Sequence, residues 1–464
     1  MPGLKPPARA PGSRAGAASS PLPAVAGQPP AGSGVTRAVL KLAWPAVVEQ
    51  ILFAGVDLTD LYIVGHLGAA ALSAVGLTGQ VSMLAIAFFG AIATGCMALV
   101  ARHIGAGEQA DAGRTLQQSL SSALALGCAA GAIAWLFAPD ILAALGAEPD
   151  VVELGAPFMR AIAASLPLTA IAFSGMAAMR AAGDTRTPMQ LTGLQLVVNA
   201  VLGLALVYGP LRMGVLGSGL ATLIARSVTG LRVLWLLWRR GSGARLARDG
   251  WKPDWPRLRR ILNVGLPAGV EQVLLQFALI NVAVVIAGLG TVTYAAHNVA
   301  IRIISLSFLP GWGFAVAAPT LVGQGLGAND PRRARDSAYA AFRLALGVML
   351  GMAAVLFLFA EPILRIFTSD PAVVAEAVTA IHVGALSQPS MAASFVFMGA
   401  LRGAGDTRTT LAITVASIWI VRLGVAYLGA QVLGVGSRTV GPPRRGDPAP
   451  LAWRSRLPLL SGPL

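Results

Sequence analysis

Long apolar runs alternate with short polar, arginine-rich breaks along most of this chain. Read as helices, the runs predict six spans in the first half, at about 42–64, 72–100, 116–137, 158–179, 188–208 and 214–238. Five more follow, at about 261–287, 295–322, 338–359, 381–400 and 410–432. Most reach the roughly 20 residues that a helix needs to cross a hydrocarbon core of about 30 Å, where lipid offers no partner to an unpaired backbone group. The fold class predicted is an all-α polytopic membrane protein.

The pattern occurs twice. Met179-Arg180-Ala181-Ala182-Gly183-Asp184-Thr185-Arg186-Thr187 returns as Leu401-Arg402-Gly403-Ala404-Gly405-Asp406-Thr407-Arg408-Thr409, displaced by 222 residues (184 to 406). The same displacement lays Pro45 on Pro267, Glu49-Gln50 on Glu271-Gln272 and Pro167 on Pro389, without a gap up to Gly214 over Gly436. Six spans in the first unit return the chain to its starting side. The predicted architecture is therefore two six-helix lobes related by a pseudo-two-fold axis along the membrane normal. The units are a disordered Pro/Ala/Gly-rich tail at 1–36, an N-lobe at 37–240, a basic cytoplasmic connector at 241–260 and a C-lobe at 261–436. In the remaining stretch, 437–464, the counterpart of Val215 to Trp238 is replaced by Pro/Arg-rich sequence. The twelfth helix is missing from this pattern, as a frameshift or a natural truncation would leave it.

Composition agrees with a membrane class: 55% of residues are hydrophobic and only 12% charged, too few to cover soluble domains of 464 residues. The net charge of +15 sits in loops and tails, which makes it a topology signal rather than a nucleic-acid surface. Lys and Arg crowd the N-terminal tail, the loops after the second and fourth spans and the connector, so the N-terminus is expected in the cytoplasm. Placement in the cell membrane follows, the inner one in a Gram-negative source, with a monomer expected. Gly217-Ser218-Gly219 lacks the first glycine of an intramembrane serine-protease motif, Leu216 standing in its place. Metal spacings and phosphate loops are likewise missing, so no enzyme, metal or cofactor is expected.

Candidate chemistry rests on polar groups within spans. Asp57 lies deep enough in the first span to be a functional carboxyl, able to bind and release a proton, whereas Asp60 reads as reaching the outer headgroup region. Asn199 and Thr222 are uncharged groups that pair helices as readily as they bind a ligand. Glu49 and Glu271, with Gln50 and Gln272, are accessory candidates; their symmetry fits a structural role as well as a cargo contact. Pro167, Pro389, Pro310 and Pro319 fall inside spans and suit hinges, with static packing as the alternative.

The doubled plan, Val56-Asp57 leading into Val64-Gly65-His66-Leu67-Gly68, the two Gly-Asp-Thr-Arg-Thr loops and Ala295-Ala296-His297-Asn298 together resemble the multidrug and toxic compound extrusion (MATE) family over about Val39 to Gly436. The resemblance implies an antiporter that alternates between inward- and outward-open states and exports small cationic amphipaths in exchange for protons or sodium ions. It implies a polar cluster of Asp57, Asn199 and Thr222 in the N-lobe. Gly203 stands where some proton-coupled relatives carry an aspartate. The seventh-span glutamate of sodium-coupled relatives falls on Leu275, and their tenth-span aspartate is absent, which puts protons ahead of sodium. The competing functions are a lipid-linked saccharide flippase of the same superfamily, which needs a cationic cavity, and an inactive remnant without its last helix.

Overall fold

A computed structural model describes residues 33–240, 251–287, 291–367, 370–422 and 424. The first half comprises α1 (Ser33–Gly65), α2 (Ala69–Gly105), α3 (Gln109–Leu136), α4 (Ala138–Ala144), α5 (Pro149–Ala181), α6 (Arg186–Val207) and α7 (Gly214–Arg240). The second comprises α8 (Trp255–Ala287), α9 (Thr291–Gly327), α10 (Pro331–Leu358), α11 (Ala360–Phe367), α12 (Pro371–Gly403) and α13 (Thr407–Thr414), the last running into a π-helical turn, Val415–Arg422. Among the described residues, nine helices are long and apolar enough to cross a membrane. The tail at 437–464 and the place of a twelfth helix lie outside the described residues.

Five helices of the first half reappear 222 residues later with the same ends: α1 as α8, α2 as α9, α3 as α10, α5 as α12, and α4 as α11 to within a residue. Several begin earlier than their apolar runs. Pro149 and Pro371 occupy the first turns of α5 and α12, where a missing N–H costs nothing, and the Asp370 carboxylate caps α12 through the Ala372 N–H. Such capping carries helices past the hydrophobic window that sequence reading relies on. For the same reason α8 starts at Trp255, inside the expected connector, where Asp254 accepts from the Arg257 N–H; α1 starts at Ser33, inside the stretch expected to be disordered tail. Neither short helix, α4 nor α11, is long enough to register as a span.

The repeated nonapeptide is a helix-to-helix joint. Gly183 (φ 87°) and Gly405 (φ 83°) take the left-handed conformation that closes α5 and α12, while Asp184 and Asp406 send their N–H groups back to the carbonyls of Met179 and Leu401. The same aspartates then accept from the backbone N–H and hydroxyl of Thr187 and Thr409, opening α6 and α13. One residue ends a helix and the next begins another. At the end of α2 the left-handed position is Gly107 (φ 77°); its counterpart after α9 is Asn329 (φ 57°), the side chain that best tolerates it.

The two lobes meet through a pair of contacts exchanged by the two-fold axis. Position 313 on α9 packs on Val47 and the Ala43 carbonyl of α1, and its mate, Ala91 on α2, packs on Gly265 and Gly269 of α8. Gly105 against Gln324 and Gly327 against Arg102 form a second exchanged pair. Except at Gly269, which meets the Ala91 Cβ, each glycine meets backbone that a Cβ would overlap, so the main chains approach as closely as small residues permit. These contacts lie toward the arginine-rich end of the bundle, the basic end. Cross-lobe hydrogen bonds add to them there: Thr320 to the Arg180 carbonyl at 3.0 Å and Gln324 to the Ala181 carbonyl at 2.8 Å.

Candidate functional site

The N-lobe cluster is assembled from three helices. Asn199 of α6 donates its amide to the Thr222 hydroxyl of α7 at 3.0 Å, and both side chains are buried. The same hydroxyl lies 3.4 Å from Oδ2 of Asp60 on α1 and 3.1 Å from the Ser218 carbonyl. Asp60 thus brings a carboxylate to this cluster, which corrects the expectation that it reaches the headgroup region. The Asp57 side chain lies outside the described residues. Two buried acceptors stand beside the triad without a protein partner among the described residues, Asn199 Oδ1 and Ser218 Oγ. Buried oxygens of this kind take a hydrogen bond from water or ligate a small cation.

Packing around the cluster is close. A Cβ on Gly203 would come within 2.6 Å of Ile63 Cδ1, so that side chain of α1 fills the space beside Gly203. Tyr208 donates to the Ile63 carbonyl at 2.5 Å, tying the end of α6 to α1. Among the described residues the C-lobe has no equivalent. The counterparts of Asp60 and Asn199 are Val282 and Val421, and that of Thr222 lies outside the described residues.

Glu49 and Glu271 have a different setting. Each is buried and receives an arginine 131 residues further on: Glu49 pairs with Arg180, and Glu271 accepts from Arg402 at 2.8 Å. Thr410 and Thr414 add hydroxyl bonds to Glu271 at 3.0 and 2.9 Å. These arginines belong to the repeated nonapeptide, so the ion pairs brace the first helix of each lobe against the helix-to-helix joint. A pair with its carboxylate buried in this way is bracing first, because removal of either partner strands a charge.

Between the lobes, beyond their closest contacts, lies a cavity of about 350 Å³ flanked by α2 and α8. Its polar lining is Gln80, Thr94, Gln272, Gln276 and Arg402; Met83, Phe173 and Phe277 supply apolar faces. Gln50, the counterpart of Gln272, is half-buried on α1. The prolines considered as hinges all sit within helices. Pro167 leaves the Ala163 carbonyl without its usual donor, and Gly131 of α3 packs over that oxygen; Pro319 does the same for Ala315, which faces Gly399 of α12.

Parallel repeats, two lobes and a partly polar cavity between them define a polytopic transporter of the secondary-active architecture. The MatE family model matches residues 45–205 and again 267–428, the two starts standing 222 residues apart. The chain belongs to the MATE family. It is 30% identical over 411 residues to a probable multidrug resistance protein NorM of Thermotoga maritima, with 87% of both chains covered. It is 29% identical over 399 residues to the multidrug resistance protein PmpM of Pseudomonas aeruginosa, covering 84% of this chain and 83% of that one. Among solved structures, an outward-facing multidrug resistance MATE family transporter of the MOP superfamily aligns with a TM-score of 0.81 at 25% identity, over 87% of this chain and 90% of that one. The bent form of the Vibrio cholerae transporter VcmN aligns at 0.82 and 21% identity, over 88% and 92%. These relatives are multidrug transporters rather than enzymes, and this chain is a multi-pass membrane protein of the multidrug efflux class.

Proposed function

We propose that this chain is a proton-coupled antiporter that expels small amphipathic organic compounds, cationic ones included, with its basic end in the cytoplasm. The observation carrying the coupling is the Asp60–Thr222–Asn199 contact set with its two partnerless buried acceptors. Ionised, Asp60 accepts from the Thr222 hydroxyl; protonated, it becomes a donor and its charge is gone, so α1 and α7 no longer share the same bond. Lobes joined at the basic end and parted beyond it correspond, in this orientation, to an outward-open state. A proton arriving from outside then displaces bound cargo, and the loaded N-lobe favours return to the inward side.

Purified protein in proteoliposomes tests this. With Asp60→Asn, pH-driven efflux falls at least about tenfold while cargo binding persists, and Asp57→Asn serves as the comparison for the second carboxyl of α1. Lowering the outside pH releases bound cargo, whereas added sodium at fixed pH changes little. Unaltered efflux by Asp60→Asn moves the coupling role elsewhere. Sodium-driven, pH-insensitive efflux replaces the proton with sodium at the same oxygens.

A further inference from the structure

An arginine within a span is expensive and needs a reason. Arg226 stands twelve residues into α7 (214 to 226), about 18 Å along a helix about 40 Å long, and so at mid-span. It is half-buried, and its Nη1 is shielded from solvent. Helix geometry fixes the face it occupies. Thr222, four residues before it, and Thr229, three residues after it, lie on the same stripe of α7, and both are buried. By contrast Arg232 and Arg239, nearer the basic end, are exposed and stack on Trp235.

Contacts between α7 and α1 set the level of Arg226. Val64 shares a cluster with Val215, and Asp60 meets Thr222, so α7 descends as α1 climbs. The step from Thr222 to Arg226 is about 6 Å toward the basic end, and the step from Asp60 back to position 57 is about 4.5 Å the same way. Three residues on a helix also keep position 57 within about 60° of the direction of position 60. Backbone register therefore puts the other aspartate of α1 level with Arg226, as it puts Asp60 level with Thr222. The C-lobe counterparts of Asp57 and Asp60 are Leu279 and Val282, so both aspartates belong to the lobe that holds the mid-span guanidinium. Glu49, further down α1, already has an arginine of its own in Arg180.

We propose that Arg226 is the fixed counter-charge of the coupling site, neutralising Asp57 so that Asp60 alone exchanges a proton. The charge count gives the reason. A guanidinium keeps its proton throughout, so two carboxylates beside it carry one net negative charge when both are ionised and none once a single proton has arrived. A second proton would leave the guanidinium uncompensated in a low-dielectric interior, where an unmatched charge costs most. The site then loads one proton and stops. This rests on the efflux reading above and assigns its proton count and the residue that enforces it.

Paired charge removal in the purified full chain tests it. Asp57→Asn and Arg226→Gln, each alone, leave a charge unmatched and should lower pH-driven efflux of tetraphenylphosphonium from proteoliposomes at least about tenfold. Asp57→Asn together with Arg226→Gln removes both charges and should recover most of the efflux, and adding Asp60→Asn should abolish it again. Arg226→Lys, which keeps the charge, should retain most of the activity. Thermal unfolding in detergent reads the pairing without transport: the loss in the double variant should fall well short of the summed single losses. A double variant no more active than the weaker single, or recovery of Asp60→Asn rather than Asp57→Asn by Arg226→Gln, overturns the proposal, and so do additive losses in melting temperature. Where a single variant yields no monodisperse protein, a monodisperse and active double variant is the supporting result and its failure the overturning one. No pH-driven efflux by the wild type, combined with non-additive melting temperatures, overturns the antiport reading and leaves the charge pair standing.

Discussion

Glu271 holds three groups of the C-lobe together, since Arg402, Thr410 and Thr414 all donate to its carboxylate. Removing it strands a half-buried guanidinium and the buried Thr410 and Thr414 hydroxyls, so Glu271→Ala is expected to cost up to about 3–5 kcal/mol. Glu49→Ala should cost less, because the described structure gives Glu49 only Arg180. Denaturant unfolding in detergent checks the order, and equal losses would remove the distinction; Glu271→Ala with Arg402→Ala should recover part of the loss. Asp406 supplies a pH-dependent counterpart. The Thr409 hydroxyl, then the Thr409 N–H, hold its carboxyl below the ordinary carboxylate range. A depressed folded value means that the cap contributes stability above that range and loses it as pH falls through the depressed value. The melting-temperature gap between wild type and Asp406→Asn should accordingly be present at neutral pH and narrow in acid. At this scale the sequence was legible in part. Asn199 and Thr222 are joined, but Asp60 was set aside because nearness to a loop in sequence was taken for nearness to solvent. Its partner lies 162 residues away on α7, a contact that packing alone decides. The ion pairs did leave a trace, the separation of 131 residues between glutamate and arginine in both halves.

Among helices, glycine means opposite things in different places. Gly399 faces the carbonyl freed by Pro319, at 2.9 Å from where its Cβ would sit, whereas nothing lies within 4 Å of a Cβ on Gly347 of α10. Gly399→Ala should therefore destabilise, by about 1–3 kcal/mol if the α9–α12 pair cannot relax. Gly347→Ala should stabilise by up to about 1 kcal/mol through helix propensity. Thermal unfolding of the two variants measures the contrast, and a shared sign would refute the proline–glycine seat. Hydropathy revealed which elements exist because each span repeats its apolar run. It missed their ends, since Pro149, Asp370 and Pro371 extend helices by capping rather than by hydrophobicity. It also passed over α4 and α11, whose seven and eight residues are too few to span anything.

The whole molecule was the most legible level, because a gapless displacement constrains every contact at once: a pair across the lobes predicts its exchanged mate, as 43 with 313 predicts 265 with 91. A Cβ at Gly323 would sit 2.8 Å from that of Ala101 across the lobes at the basic end, so a small separation of the two helices brings the pair to the roughly 3.5–4.5 Å that a disulfide spans. With Cys96 and Cys128 first replaced by alanine, Ala101→Cys with Gly323→Cys should form a disulfide that abolishes transport in proteoliposomes, and reductant should restore it. Full transport by quantitatively cross-linked protein would show that the lobes need not part there. The lobes nevertheless differ in one respect: where the N-lobe has Asp60 and Asn199, the C-lobe has Val282 and Val421. On the antiport reading proposed above, a machine doubled in shape couples through one lobe, and this bounds its thermodynamic work. For each proton exchanged per cycle on that reading, a difference of one pH unit can sustain at most about a tenfold concentration ratio of a cargo with no net charge. Steeper accumulation has to draw on the voltage across the membrane, at about 2.3 kcal/mol per charge for each 100 mV.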